Sequence, residues 1–184
     1  WQSCIELLEI ANERPGSAWA LHLSASLLAA ASFEAYINHL GDEMLPTVWR
    51  NERKHFSKDP YRGVLGKVKR IAEEVGYQLP RKTHKPFAGW LELQELRDKI
   101  VHARTKRSHF SQVHRSDAFP KLPPPWMSRE LSRTKVRELI ALLEEFATEI
   151  HTLVAQSELP EAAFGSHPLR GTLGFAVGDV GLVT

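Results

Sequence analysis

The ten-residue stretch ELRDKIVHAR contains three side chains that could carry chemistry: Arg97, Asp98 and His102. Histidine can accept and donate a proton near neutral pH because its unperturbed pKa is about 6.5. An arginine guanidinium is a rigid, permanently charged donor that fits phosphate oxygens. The helix that contains them also carries four apolar residues that we predict to be buried: Leu93, Leu96, Ile100 and Val101. The stretch is therefore either the charged surface of a packed helix or a site.

The spacing of Arg97 and His102 limits how they could act together. At 100° per residue, side chains five positions apart on an ideal helix project about 140° from each other. They would not converge on one small ligand within a subunit unless the helix loosens near His102. A second copy of the helix at a two-fold axis would place both pairs in one cleft. The spacing therefore leaves two possibilities, a helix that loosens near His102 or a homodimer.

Each of these residues also has a purely structural interpretation. Arg97 could simply form an ion pair with Glu34 or Glu95, without any functional role. His102 could likewise do no more than interact with the carbonyl end of the helix. Glu34 and Asn38 share one helix face because they are four residues apart. They either line the same cleft or form a buried hydrogen-bonded pair.

Apolar periodicity and end signals predict an all-α fold, an up-and-down bundle of four to five helices. The central helix runs from a Ser17 cap to about Leu45. The other predicted helices run from Asp59-Pro60 to a stop at Gly76, from Pro86 through Val101, from Ser128 or Ser132 through Val154, and from Gln2 to Glu13.

Two proline- and glycine-rich segments lie outside this bundle. Three successive prolines make FPKLPPPW, at 119–126, an extended connector. We predict that residues 1–157 form the helical domain and residues 158–184 a glycine-rich C-terminal arm. The arm is either a hairpin turning at Gly178-Asp179 or a segment held by another subunit.

Composition indicates a single cytoplasmic domain with one strongly basic segment. The chain has 184 residues, 42% of them hydrophobic, and a single cysteine, which favours a reducing compartment. The most apolar run contains His22, Glu34 and Asn38, which argues against a membrane span. Residues 50–115 contain 17 Lys and Arg against 7 Asp and Glu, whereas the rest of the chain has 7 against 15. The clusters RNERKH, KVKR, PRKTHK and RTKRSH indicate either a positive face or ordinary solvated charges.

The segment LRDKIVHA, downstream of FEAYIN, resembles the signature of the HEPN superfamily, the higher eukaryotes and prokaryotes nucleotide-binding domain. The resemblance covers about residues 17–155. It implies a dimeric, metal-independent endoribonuclease without a cofactor. In that case His102 is the general base or acid, Arg97 stabilises the charged phosphorane, and Asp98 orients either of them.

From this resemblance we expect a toxin or defence effector that cleaves RNA and is restrained by an antitoxin or regulatory protein. The alternative is a non-catalytic HEPN module that binds a partner protein or RNA.

His109 and His114 lack the further ligands that a metal site needs. The residues predicted to bind substrate are Glu34, Asn38, Lys99, Arg104, Lys106 and Arg107.

Overall fold

The computed structural model describes residues 1–14, 17–102, 131–157 and 167–169. Within these residues the protein is all-α, as predicted: 77% are helical and none lies in a strand. The described part of the chain contains seven helices: α1 (Gln2–Glu13), α2 (Ala18–Met44), α3 (Pro46–Trp49), α4 (Glu52–His55), α5 (Gly63–Glu74), α6 (Lys85–Val101) and α7 (Arg133–Ala155).

Helix α2 is the central element, as its apolar composition predicted. It packs against α1, α3, α5, α6 and α7, and Phe33, Ile37 and Leu40 are fully buried. By length and composition alone α2 could also cross a membrane, but the core helix of a bundle meets the same criterion. One side of α2 is open, since Leu28 is 40% exposed.

An aromatic cluster joins α2, α6 and α7. The ring centroid of Trp90 lies 5.3 Å from that of Phe33 and 5.2 Å from that of Phe146. Helix α7 approaches α6 closely at Gly89, where a Cβ atom would lie 2.6 Å from the Leu142 side chain. These three helices therefore pack on one another.

Helix α6 has a defined beginning and end. The His84 side chain accepts a hydrogen bond from the backbone N–H of Phe87 at 3.4 Å, and His102 is the C-terminal capping residue. The prediction that this helix buries Val101 is wrong, because Val101 is 55% exposed. It lies five residues beyond the buried Leu96 and so faces about 140° away from it.

The predicted start of the next helix upstream, α5, is also wrong. Asp59 and Pro60 lie in turns, and the helix begins at Gly63. The backbone N–H of Gly63 donates to the Phe56 carbonyl at 3.0 Å, so the chain closes a loop before it enters the helix. The predicted stop at Gly76 is confirmed by its φ of +69°, which favours glycine.

The last helix begins at Arg133, directly after Ser132, and is followed by one further described segment at 167–169. Leu169 in that segment is buried against the core, with 8% of its surface exposed. The predicted connector at 119–126 and the turn at Gly178-Asp179 lie outside the described residues.

Candidate functional site

A cleft of about 780 Å³ lies between α2, α5 and α6 and is closed on one side by α4 and the turns that follow it. Clefts of this size accommodate small ligands or short polymer segments. Among the described residues, its charged lining contains five basic and five acidic side chains: Arg53, Arg62, Lys67, Lys82 and Arg97, with Glu34, Glu52, Asp59, Glu95 and Asp98.

The basic clusters of the sequence converge on this cleft. Arg53 comes from RNERKH, Lys67 from KVKR and Lys82 from PRKTHK, so each described cluster contributes one basic lining residue. The equal number of acidic side chains means that the cleft is not uniformly positive. An anion would therefore bind at particular guanidinium or ammonium groups rather than to a general positive surface.

Arg97 lies on the rim of the cleft, with a third of its side chain exposed. Its Nη1 donates to Asp98 Oδ1 at 2.9 Å, and its Nη2 lies 3.6 Å from Glu34 Oε2. The pairing with Glu34 that the sequence offered as a structural interpretation is therefore present. It leaves the guanidinium partly exposed to solvent and able to meet an anion.

Lys67 is the residue that the sequence analysis missed. Its side chain is 5% exposed, and its Nζ lies 2.5 Å from Glu52 Oε1 and 3.8 Å from Glu34 Oε1. A signal was present: Lys67 stands three residues after Val64 and four before Ile71, on the apolar face of α5. A lysine at such a position is buried only where partners satisfy its charge.

Asn38 lies behind Glu34 and holds two groups in place. Its Oδ1 accepts hydrogen bonds from Lys67 Nζ at 2.8 Å and from Trp49 Nε1 at 3.4 Å. Trp49 reaches this position because Gly41 has no side chain, since a Cβ atom there would overlap the indole at 1.9 Å. Glu34 therefore lines the cleft, whereas Asn38 supports it through hydrogen bonds.

His102 does not line the cleft with Arg97 in a single subunit. It is exposed at the end of α6, and its backbone N–H donates to the Asp98 carbonyl at 2.9 Å. Among the described residues its side chain has no hydrogen-bond or ion-pair partner. Lys99 is exposed on the same turn. The other predicted substrate-binding residues, Arg104, Lys106 and Arg107, lie outside the described residues.

No group of three or more His, Cys, Asp or Glu side chains within the described ranges is arranged to hold a metal ion. The sequence pair His109 and His114 lies outside those ranges. The charged groups in the described part of the cleft are guanidinium, ammonium and carboxylate groups.

No known protein family, curated protein or solved structure matches this chain at a significant level. Its function has to be inferred from its own residues. In that respect one contact is informative: Glu34 belongs to FEAYIN and Arg97 to LRDKIVHA, and the two side chains meet at the rim of the cleft. The fold thus brings together the two segments on which the HEPN resemblance rests.

Proposed function

We propose that this protein is an HEPN-like up-and-down helical bundle that cleaves RNA without a metal, as a two-fold dimer. The contact between Glu34 and Arg97 is the observation that carries the proposal, because it joins FEAYIN to LRDKIVHA at an accessible guanidinium. A cytoplasmic toxin or defence effector, restrained by an antitoxin or regulatory partner, is the role that fits such an activity.

In the proposed reaction, a ribose 2′-hydroxyl attacks the adjacent phosphate and the 5′-oxygen leaves. One His102 side chain accepts the proton of the 2′-hydroxyl, and an imidazolium donates a proton to the leaving oxygen. Arg97 stabilises the negative charge that develops on the phosphorane. Asp98 orients Arg97, consistent with their 2.9 Å hydrogen bond. The products are a 2′,3′-cyclic phosphate and a 5′-hydroxyl.

The positions of Arg97 and His102 favour a site shared between two subunits. Arg97 lines the cleft of its own subunit, whereas His102 is exposed at the end of the helix. Val101, next to His102, is an apolar side chain with 55% of its surface exposed. Contact between two copies at this end of α6 would cover Val101 and bring each His102 towards the Arg97 of its partner.

A second candidate is a non-catalytic HEPN module that binds a partner protein or RNA. The observation in its favour is the electrostatic balance of the site. Arg97 is engaged by Glu34 and Asp98, and the part of the cleft that the structure describes has as many acidic as basic lining residues. An extended partner with charges of both signs would match such a lining without any reaction.

One experiment separates the two candidates. Purified full-length protein is incubated with mixed RNA in excess EDTA, and the fragment ends are analysed for 2′,3′-cyclic phosphate. Such ends are expected because the reaction needs only side chains and the substrate's own 2′-hydroxyl. Binding of RNA without cleavage would favour the module, and the absence of both would leave the basic segment as a solvated surface.

A further inference from the structure

Five side chains of alternating charge form a chain of ion pairs across the cleft. Glu52 Oε1 lies 2.5 Å from Lys67 Nζ, and Glu34 Oε1 lies 3.8 Å from the same atom. The second oxygen of Glu34 lies 3.6 Å from Arg97 Nη2, and Asp98 Oδ1 lies 2.9 Å from Arg97 Nη1. Glu34 is thus shared between one lysine and one arginine.

Lys67 is the member of this series of ion pairs that is held most firmly in place. Its ammonium also donates to Asn38 Oδ1 at 2.8 Å and lies 5.9 Å from the centre of the Phe56 ring. With only 5% of the side chain exposed, the charge cannot move into solvent. Glu34 and Arg97, each about one-third exposed, have more freedom. The position of Lys67 therefore influences where the Glu34 carboxylate lies.

We propose that Lys67 is a positioning residue for Arg97 and sets, through Glu34, how strongly Arg97 binds an anion. When Lys67 holds part of the Glu34 charge, the Arg97 guanidinium stays available to a phosphate. Without Lys67, the carboxylate pairs with Arg97 alone and neutralises it more completely. The inference rests on the proposed function only for the identity of the anion, which in that reaction is an RNA phosphate.

The test follows Arg97 directly, without any cleavage assay. The side-chain Nε–H resonance of Arg97 is assigned in ¹⁵N-labelled protein by its loss in Arg97→Lys. Inorganic phosphate is then titrated, and the shift of this resonance measures phosphate binding at Arg97. Lys67→Met is expected to weaken phosphate binding at Arg97 about two- to fivefold, the range of partly exposed ion pairs. Lys69→Met is the matched control, since Lys69 is on the same helix, is 40% exposed and pairs with Glu73.

A double variant distinguishes an effect through Glu34 from a general loss of positive charge. In the Glu34→Gln background, Lys67→Met should change phosphate binding no more than Lys69→Met does. Equal effects of Lys67→Met with and without Glu34 would overturn the inference. So would a Lys67→Met effect no larger than that of the control, or an Arg97 resonance in the wild type that does not respond to phosphate.

If Lys67→Met does not fold, Glu52→Gln decides instead, because Glu52 is 48% exposed and Lys67 keeps Glu34 and Asn38 as partners. When Glu52 loses its charge, Lys67 pairs more strongly with Glu34. Less of the Glu34 charge then acts on Arg97, so Arg97 should bind phosphate more tightly. Unchanged binding contradicts the inference. Failure of the wild-type protein to cleave RNA would refute the proposed function alone, because the resonance measurement does not depend on it.

Discussion

Glu34 on α2 and Arg97 on α6 approach within 3.6 Å although they are 63 positions apart in the sequence. The contact depends on the packing of the two helices, which Phe33 and Trp90 fix through their ring contact. A change at either charged residue therefore alters the cleft without removing a core side chain. Substitutions at this rim can be interpreted as effects on the site rather than on folding.

Replacement of His102 is the most direct test of the proposed chemistry. His102→Ala should lower RNA cleavage by about 10²- to 10⁴-fold, the usual cost of losing a positioned general acid or base. The helix content measured by circular dichroism should not change, because His102 is exposed. His55→Ala is the control, since His55 is also exposed and ends a helix, α4. Equal rates in the two variants would exclude His102 from catalysis.

Arg97 is expected to require the geometry of a guanidinium and not only a positive charge. Arg97→Ala should reduce cleavage to a similar extent as His102→Ala, and Arg97→Lys should restore little of it, because an ammonium cannot form two parallel hydrogen bonds to a phosphate. RNA binding by both variants should persist and fall steeply with salt, since other basic residues supply that attraction. Single-turnover cleavage and salt-dependent binding together check this, and full activity of Arg97→Lys would contradict it.

The buried His22 side chain should make the protein less stable in mild acid. Its Nδ1 lies 3.0 Å from the Leu131 carbonyl, which can only accept, so Nδ1 carries the proton of the neutral ring. Its Nε2 is buried and has no partner among the described residues. Burial lowers the pKa of His22 most; the hydrogen bond to the Leu131 carbonyl raises it, and Arg137 and Arg133 lower it further. The folded state therefore binds fewer protons than the unfolded state as the pH falls below about 6.5.

The predicted pH dependence can be measured by urea unfolding between pH 7.5 and 5. His22 should contribute a loss of up to about 1.4 kcal/mol per pH unit once the unfolded state is protonated. His22→Asn keeps a donor near the position of Nδ1 and removes the titration, so its stability should fall less over the same range. A steeper fall in the variant than in the wild type would contradict this account.

Gly41 should tolerate no side chain, because the indole of Trp49 occupies the space where a Cβ atom would lie. Gly41→Ala should displace Trp49 from its hydrogen bond to Asn38 and from its edge contact with Phe56, whose ring centre is 4.8 Å away. We expect a loss of about 1–3 kcal/mol, the usual cost of overpacking. Urea unfolding measures it. Ala35→Ser, at an exposed position of the same helix, is the control and should be nearly neutral.

The boundaries of the long helices could be predicted from local signals, whereas the cleft could not. Ser17 and Pro86 mark the beginnings of α2 and α6 in the sequence itself, and apolar periodicity indicates how far each helix continues. The start of α5 was misplaced because a hydrogen bond between Gly63 and Phe56 decides it, and no periodic pattern encodes that bond. Lys67 meets Glu34 and Asn38 only because α5 packs against α2, and that packing is a tertiary property which local sequence signals do not encode.

The candidate site was predictable only in part, for the same reason. LRDKIVHA and FEAYIN drew attention to Arg97 and Glu34, and the structure places both at the cleft. The helical period also anticipated that Arg97 and His102 face different directions. The sequence places Asn38 either at a cleft or in a buried hydrogen bond, and it places Lys67 on the apolar face of α5. It does not show that Asn38, Lys67 and Trp49 meet, because that contact depends on how three separate helices pack.

The burial of Leu169 has a practical meaning for anyone who expresses or trims this protein. Leu169 contributes to the core, and His167 lies 3.3 Å from Glu144 on the neighbouring helix α7. A fragment that stops at Ser157 would lack the buried Leu169 side chain and should aggregate more readily than one that continues past residue 169. Part of the segment that composition alone assigns to a separate arm therefore packs on the helical core.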